Sequence, residues 1–508
     1  MSGRVRALLG RARRRVGSLF KSQEELDLTG GPIGKSLFFL SLPIVITNLL
    51  QVAYNLADTF WLGQYSTEAL AAVSLGFPLV FLFISMGMGL TIAGSVLVAQ
   101  HTGAEETREA QYAASQTVVF SLIAATLLGA VGFYFVRDLL GLFAAEPVVT
   151  GLAGDYLAVI TLGLPFMFGF FVFISLMRGA GDTVTPMVVM LGTVVLNIAL
   201  DPFLIFGWGP FPRLGVEGAA VATVFARGLA MVVGMAIMLR GYRGIRVRVA
   251  DLRPDLTYAR KLVRIGVPAS IENTGRAVSV NAVLFVVTLF PTAVVAAFGV
   301  GVRVFSLVFM PAIAIDRGVE TMTGQNIGAD KPDRVAAVNR FAAKVAFLLL
   351  AGLGVVIFAF APDIIAVFDS DPEVVEQGAT FLRWVAPTFG FVGILRAYSG
   401  GLRGAGKTLT AAAIALVMFG VIRLPIAYVA SQDIIPVNLW IFGQKTPQGI
   451  WLGFALSSII AAVIAFAWFE RGTWRDADLT EDKVGVGGDE PGEGTAGTDS
   501  ADADLTDD

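Results

Sequence analysis

The 508-residue chain contains no cysteine and a single histidine, His101. Disulfides, thiolate metal sites and histidine-built metal clusters are therefore excluded. Charge is scarce as well: 15% of residues are charged, against 55% hydrophobic. A soluble domain of this size needs far more polar surface. Strand alternation with polar lumen residues, the barrel signature, is also missing. No serine–histidine pairing with a nucleophile elbow is present, which argues against a membrane enzyme. What the chain has instead is apolar runs long enough to cross a bilayer, repeated along most of its length, with a mean hydropathy of +0.73. In lipid such runs must satisfy their own backbone groups, so they are read as helices.

The net charge of −3 conceals two oppositely charged ends. Residues 476–508 hold twelve acidic residues and one lysine, which leaves the rest of the chain at a net +8. This stretch, with its flank from 471, is expected to be a disordered acidic cytoplasmic tail. Residues 1–22 carry Arg4, Arg6, Arg11, Arg13, Arg14, Arg15 and Lys21 with no acid. A basic stretch before a first span marks the cytoplasmic side, so 1–35 is read as a basic cytoplasmic segment. No signal-peptide pattern follows it.

Twelve spans are expected, at about 36–62, 68–100, 113–136, 150–176, 184–207 and 216–240, then 260–290, 293–325, 336–360, 374–400, 409–430 and 449–470. The second and eighth exceed the ~20 residues a span needs and should tilt, kink or project, with Pro78, Gly87 and Gly89 as kink sites in the second. The halves are 36–240 and 260–470, joined by a basic linker, 241–259. The connection from Arg240 to Arg264 is the most basic in the chain, which puts it and both termini in the cytoplasm of a plasma-membrane protein. The acidic loop near 361–373 is then external.

The halves repeat at a fixed offset of 225 residues. Pro43 pairs with Pro268 and Asn48 with Asn273. Gln100-His101-Thr102-Gly103-Ala104 pairs with Gln325-Asn326-Ile327-Gly328-Ala329. Arg178-Gly-Ala-Gly-Asp182-Thr183 pairs with Arg403-Gly-Ala-Gly-Lys407-Thr408. Six spans per half give the repeats the same orientation, an arrangement that forms two pseudo-symmetric six-helix lobes around a central cavity.

Two motifs mislead. Gly401–Thr408 fits the phosphate-loop pattern but joins two membrane helices, and its repeat mate has Asp182 where the lysine should be. Gly179-Ala-Gly-Asp182 resembles an intramembrane protease motif but lacks a second aspartate, and Asp182 is expected at a helix end near water. Both read as Gly-rich turns, with no nucleotide or nucleic-acid partner. His101 reads as a solvated loop histidine.

Ionisable residues inside spans are functional candidates. Asn48, Gln51, Asn55 and Asp58 are spaced 3, 4 and 3 apart, on one face of the first span. Pro43 below them removes a backbone bond and permits a bend. Asn197 and Asp201 share a face of the fifth span. Two carboxylates with amide oxygens can bind one Na⁺ or share a proton. At the 225-residue offset Asp58 falls on Val283 and Asp201 on Ile426, so this pair is confined to the first half. The second half carries Glu272, Arg276, Arg303, Asp316, Arg317, Glu320, Arg396 and Arg423. These read as a salt-bridge network, with a second ion site at Asp316 and Glu320, or arginines receiving an anionic substrate group, as alternatives. Tyr54, Phe166, Met167, Phe170, Phe171, Phe173 and Met190 are candidates for an adaptable drug cavity.

The strings at 42–63, 197–207 and 215–223, with the two RGAG(D/K)T turns, resemble the multidrug and toxic compound extrusion (MATE) family, DinF-like prokaryotic or archaeal branch, over about residues 33–470. The resemblance implies a monomeric, two-lobed antiporter without cofactor. It exports cationic or amphipathic small molecules across the bilayer against H⁺ or Na⁺ by alternating access. It makes Asp58, Asn197 and Asp201 the coupling-ion site, completed by Thr223, with Gln51 and Tyr54 beside it and Pro43 as the hinge. Asn48, Gln51, Tyr54, Asn55, Phe170 and Met190 then face substrate. Glu272 does not match the second-lobe acidic site of the NorM-like branch. The competing reading is a flippase or exporter of lipid-linked or anionic amphipathic substrates.

Overall fold

The computed structural model describes residues 26–141, 146–241, 244–432, 445–475 and Leu479. Residues 1–25 and nearly all of the acidic stretch from 476 lie outside them. The first half is six helices: α1 (Ile33–Tyr65), α2 (Thr67–Gly103), α3 (Thr107–Leu140), α4 (Pro147–Gly179), α5 (Val184–Phe206) and α6 (Val216–Leu239). The second half repeats the plan with more interruptions. It comprises α7 (Leu256–Val287), α8 (Thr292–Val308), α9 (Met310–Gly328), α10 (Pro332–Ala359), the short α11 (Ala361–Ala366), α12 (Pro372–Val385), α13 (Phe389–Gly404), α14 (Thr408–Leu416), α15 (Leu424–Ser431) and α16 (Gln448–Glu470).

Apart from α11, which lies between α10 and α12, the interruptions fall inside spans. α8 and α9 meet at 41° across Phe309 and form one broken span. A 3₁₀ turn at Ala386–Thr388, containing Pro387, joins α12 to α13, and a π segment at Val417–Arg423 joins α14 to α15. Among the described residues ten spans are long and apolar enough to cross a bilayer, and the broken α8–α9 pair makes an eleventh. α7 is the twelfth: it has the length, but Arg260, Lys261, Arg264, Glu272 and Arg276 make it more polar than the other spans. α2 is a single helix through Pro78, Gly87 and Gly89.

Each lobe has its own apolar core, and the lobes share a seam. α7 packs along α2, and α1 packs along α9, with Leu37 and Leu40 of α1 inside the second lobe's core. At Gly89 a Cβ would collide with the Gly266 carbonyl, so glycine is what lets α2 and α7 touch backbone to backbone. One end of the seam is closed by two reciprocal hydrogen bonds. Gln100 Nε2 of the first lobe donates to the Gly404 carbonyl of the second at 3.0 Å, and Gln325 Nε2 of the second donates to the Gly179 carbonyl of the first at 3.1 Å. Both partners of one bond lie 225 residues from their counterparts in the other. Gly103 and Gly328, also mates, abut the carbonyls of Gln325 and Gln100, where a side chain would clash.

Four local expectations change. His101 is inside α2, 5% exposed, with Nδ1 2.8 Å from Glu106 Oε2. The Gln-His pair ends a span that runs longer than its apolar stretch. Asp182 is 2% exposed rather than near water. It caps α5 by accepting from the Val184 and Thr185 amides and from the Thr185 hydroxyl at 2.6 Å. The second lobe extends past 470: Trp474 is 1% exposed, stacks on Phe469 and donates to its carbonyl. The segment 361–373, read as a loop, contains α11. The linker is strapped to α3. Arg108 grips Asp251 through two bonds of 2.7 and 2.8 Å, and Gln116 holds the carbonyls of Asp251 and Arg253. Asp255 caps α7 there; burial works to raise its carboxyl, but bonds from Tyr112 and the Thr257 and Tyr258 amides hold it below the usual carboxylate value.

Candidate functional site

The first lobe gathers its polar intramembrane groups between α1, α5 and α6. The i, i+4 spacing of Asn197 and Asp201 lets the Asn197 amide donate to Asp201 Oδ1 at 3.2 Å. Both are fully buried. Asp58, from the C-terminal turns of α1, lays its carboxyl group against that of Asp201. One oxygen of each of Asp58, Asp201 and Asn197 is buried without a hydrogen-bond donor. Buried oxygens are rarely left this way unless something outside the protein serves them. Three such oxygens converging from two helices suit a shared proton or a hard cation such as Na⁺. Among the described residues no arginine or lysine forms an ion pair with either aspartate.

Tyr54 and Thr223 join next to this group. The Tyr54 hydroxyl donates to Thr223 Oγ1 at 2.7 Å, tying α1 to α6 in the buried interior. Further along the polar face of α1, Gln51 Nε2 donates to Asn55 Oδ1 at 3.0 Å and Asn55 is exposed. Asn48 points into the space between the lobes, its Nδ2 buried and unbonded. Pro43 sits inside an unbroken helix, with the Thr47 hydroxyl bonded to its carbonyl.

Arg227 is the residue that the sequence reading missed. It projects from α6, 3% exposed, and donates to Gln51 Oε1 at 2.6 Å. Its guanidinium lies 4.9 Å from the Tyr54 ring centre and 5.3 Å from that of Phe170. The signal was available: Arg227 is an isolated charge in the middle of an apolar span. Phe170 and Met190 form the backing for this arginine inside the lobe core rather than a cavity wall. Phe173 and Met167 are core as well; of these candidates Phe171 reaches the cavity, where Phe81 of α2 joins it.

That cavity, of about 280 Å³, lies between the lobes. On the second-lobe side its wall is a buried ion-pair network. Arg403 Nη1 meets Glu272 Oε1 at 2.8 Å, Nε meets Glu320 Oε2 at 3.1 Å, and Nη2 bonds Asp316 Oδ1. Arg317 holds Glu320 at 2.8 Å and Arg396 stands 3.7 Å from Asp316. Asp316 and Glu320 are thus enclosed by arginines, the network reading of these charges. Arg303 is exposed and Arg423 bonds Ser457, so neither belongs to it. Arg403 opens the turn that mimics a phosphate loop. The turn itself, with Gly406 at φ +75°, lies between α13 and α14 with no strand before it. Its mate has Gly181 at φ +96°.

These features have known counterparts. The MatE family model matches residues 43–203 and 268–429. A probable multidrug resistance protein NorM of Thermotoga maritima is 30% identical over 92% of this chain and 98% of its own length. An FAD transporter of Shewanella oneidensis is 27% identical over 87% of this chain and 96% of its own. The solved outward-facing conformation of a multidrug resistance MATE family transporter of the MOP superfamily superposes with a TM-score of 0.81 at 23% identity, covering 89% of this chain and 98% of that one. With both repeats matched and the two-lobed helical architecture shared, the chain belongs to the MatE family and is a multi-pass membrane transporter, not an enzyme.

Proposed function

We propose that this protein is a secondary active exporter of drug-sized amphipathic molecules, driven by H⁺ or Na⁺ entering at Asp58, Asn197 and Asp201. The observation that carries the reading is a pair of aspartates, Asp201 buried and Asp58 half-buried, each with one buried unserved oxygen and no ion pair among the described residues. A carboxylate locked to an arginine has nothing to exchange, whereas this pair gains from a proton or a cation in every cycle. Relatives named as multidrug resistance proteins and as an FAD transporter support small-molecule cargo. No cofactor takes part.

Alternating access then works as follows. The inter-lobe cavity holds the substrate. Proton or Na⁺ binding removes the repulsion between Asp58 and Asp201 and draws α1 towards α5, with Pro43 as the point where α1 bends. The first-lobe wall of the cavity, Asn48 and Gln51, moves with α1, and the substrate is expelled. Thr223 and Tyr54 brace the moving helix against α6. The seam end closed by Gln100 and Gln325 is the cytoplasmic one in this scheme, in keeping with the basic linker beside it, and the protein works as a monomer in the plasma membrane. The test is dye efflux from proteoliposomes under an imposed Na⁺ gradient or an imposed pH gradient. Export driven by one of them and absent from Asp58→Asn supports the scheme. Wild-type export in both Asp58→Asn and Asp201→Asn overturns it.

A further inference from the structure

The inter-lobe cavity is more basic than its role as a drug chamber requires. Six arginines line it: Arg178, Arg227, Arg276, Arg317, Arg396 and Arg403. Three carboxylates answer them, Glu272 and Asp316 on the wall and Glu320 just behind. Each of the three is held by Arg403, Arg317 or Arg396, while Glu272 and Glu320 each keep one buried oxygen without a hydrogen bond. Arg178, Arg227 and Arg276 have no ion pair among the described residues. Three positive charges are therefore uncompensated in a buried space. The first-lobe aspartates do not line it.

The three are not equivalent. Arg227 is committed to Gln51 and to the faces of Tyr54 and Phe170. Arg178 spends one Nη on Ser175, and its Nε is buried without a partner. Arg276 makes no hydrogen bond among the described residues. Arg178 comes from the first lobe and Arg276 from the second, so both lobes present a guanidinium to the same space. Beside them the wall is apolar, with Ile44, Phe81, Met88, Phe171 and Ile313.

We infer that the cavity takes an amphipathic organic anion, its phosphate, sulfonate or carboxylate head held by Arg178 and Arg276 and its apolar body against Phe81, Met88 and Phe171. A guanidinium offers paired N–H donors that match such heads, and buried charge is tolerated when it is paired. A cationic substrate meets like charge on this wall and has no free carboxylate pair to receive it. The anion also bridges the lobes, since its head contacts one arginine from each. This inference names the substrate class for the transport reading above and rests on it for its meaning, though not for its test.

The test uses full-length protein in nanodiscs of zwitterionic lipid, with no gradient. Two probes share a dansyl body and differ in their heads: dansylaminoethanesulfonate and dansylaminoethyl-trimethylammonium. The sulfonate should bind saturably and more tightly than the ammonium. Arg276→Gln and Arg178→Gln should each raise its Kd at least tenfold, and Arg276→Lys should retain most of the affinity. Arg276→Gln strands no carboxylate, because Glu272 is already bonded to Arg403, so its thermal unfolding should match wild type. A dansyl phosphatidic acid forms a third arm. Arginine-dependent binding of that probe together with the sulfonate supports a general anion site, and binding of the lipid alone supports an anionic site whose source is the bilayer. Tighter binding of the ammonium, no binding of either anion, or an anion Kd indifferent to both arginine variants overturns the inference. Because binding is read at equilibrium, failure of gradient-driven export leaves this result intact, and the converse holds.

Discussion

Asp58 and Asp201 in the first lobe and Asp316 and Glu320 in the second are all acidic residues within membrane-crossing helices, yet they keep opposite company. The first pair has an asparagine beside it and no ion pair among the described residues. The second pair is gripped by Arg403, Arg317 and Arg396. A buried ion pair recovers its desolvation cost through fixed geometry, so its members cannot trade partners without losing several kcal/mol. Carboxylates without a fixed cation keep that freedom. Two lobes descended from one plan thus divide the work: one holds charge still, the other leaves it exchangeable.

The sharpest way to break this contrast is to remove the exchangeable charge. Asp58→Asn and Asp201→Asn should each reduce gradient-driven dye efflux to the rate of empty vesicles, with folded yield unchanged. An amide keeps the size but cannot take up and release a proton or compensate a cation. Removing the fixed charge should act on stability instead. Arg403→Leu leaves three buried carboxylates to two arginines at the network's edge, a loss of about 3–5 kcal/mol, visible as a collapse of folded yield and a fall in Tm. If Arg403→Leu folds like wild type, the network is not holding the second lobe together.

Smaller changes probe the seam. Gln100→Ala and Gln325→Ala each delete one of two matched bonds and should weaken closure by about 1 kcal/mol, roughly fivefold. The bonds lost across the seam are related by the repeat, but Gln100→Ala should cost more than Gln325→Ala, because the Leu479 amide also donates to Gln100 Oε1 at 3.1 Å. Single cysteines placed across that end, in a chain with none of its own, give labels for distance measurement. An effect from one glutamine and none from the other would break the symmetry. Asp182→Asn should be mild in transport and cost at most about 1 kcal/mol of stability, since asparagine also caps helices. Lys407→Ala should change nothing: neither it nor wild type should bind ATP in a filter assay, as the turn lacks the strand a phosphate loop needs.

Much of this was legible in sequence because it was periodic or repeated. Runs of apolar residues located the spans, and the 225-residue offset located the lobes and their joint. The stripe at Asn48, Gln51, Asn55 and Asp58 could be read because helical spacing is local. The partners of Arg403 could not, since they lie 83 to 131 residues away in the chain. Arg403 was also hidden in plain view, in a motif whose glycines and lysine drew attention from its arginine. Arg227 was a lone charge in an apolar span and should have been weighed. Phe170 illustrates the limit of composition: an aromatic beside a cavity and one stacked behind its wall look alike in sequence.

The joint at Gln100 and Gln325 carries a consequence for assembly. The first half contains Gln100 and also Gly179, and the second contains Gln325 and also Gly404. Each half therefore owns a donor and an acceptor, the two ends of a self-complementary coupling. Two copies of a single half, set face to face about a twofold axis, have what is needed to make both bonds with no help from the other half. The covalent tether between the halves is then a convenience of synthesis and stoichiometry. What it permits is divergence: once both halves are certain to meet, each is free to differ from its twin, as at position 283, where valine stands opposite Asp58.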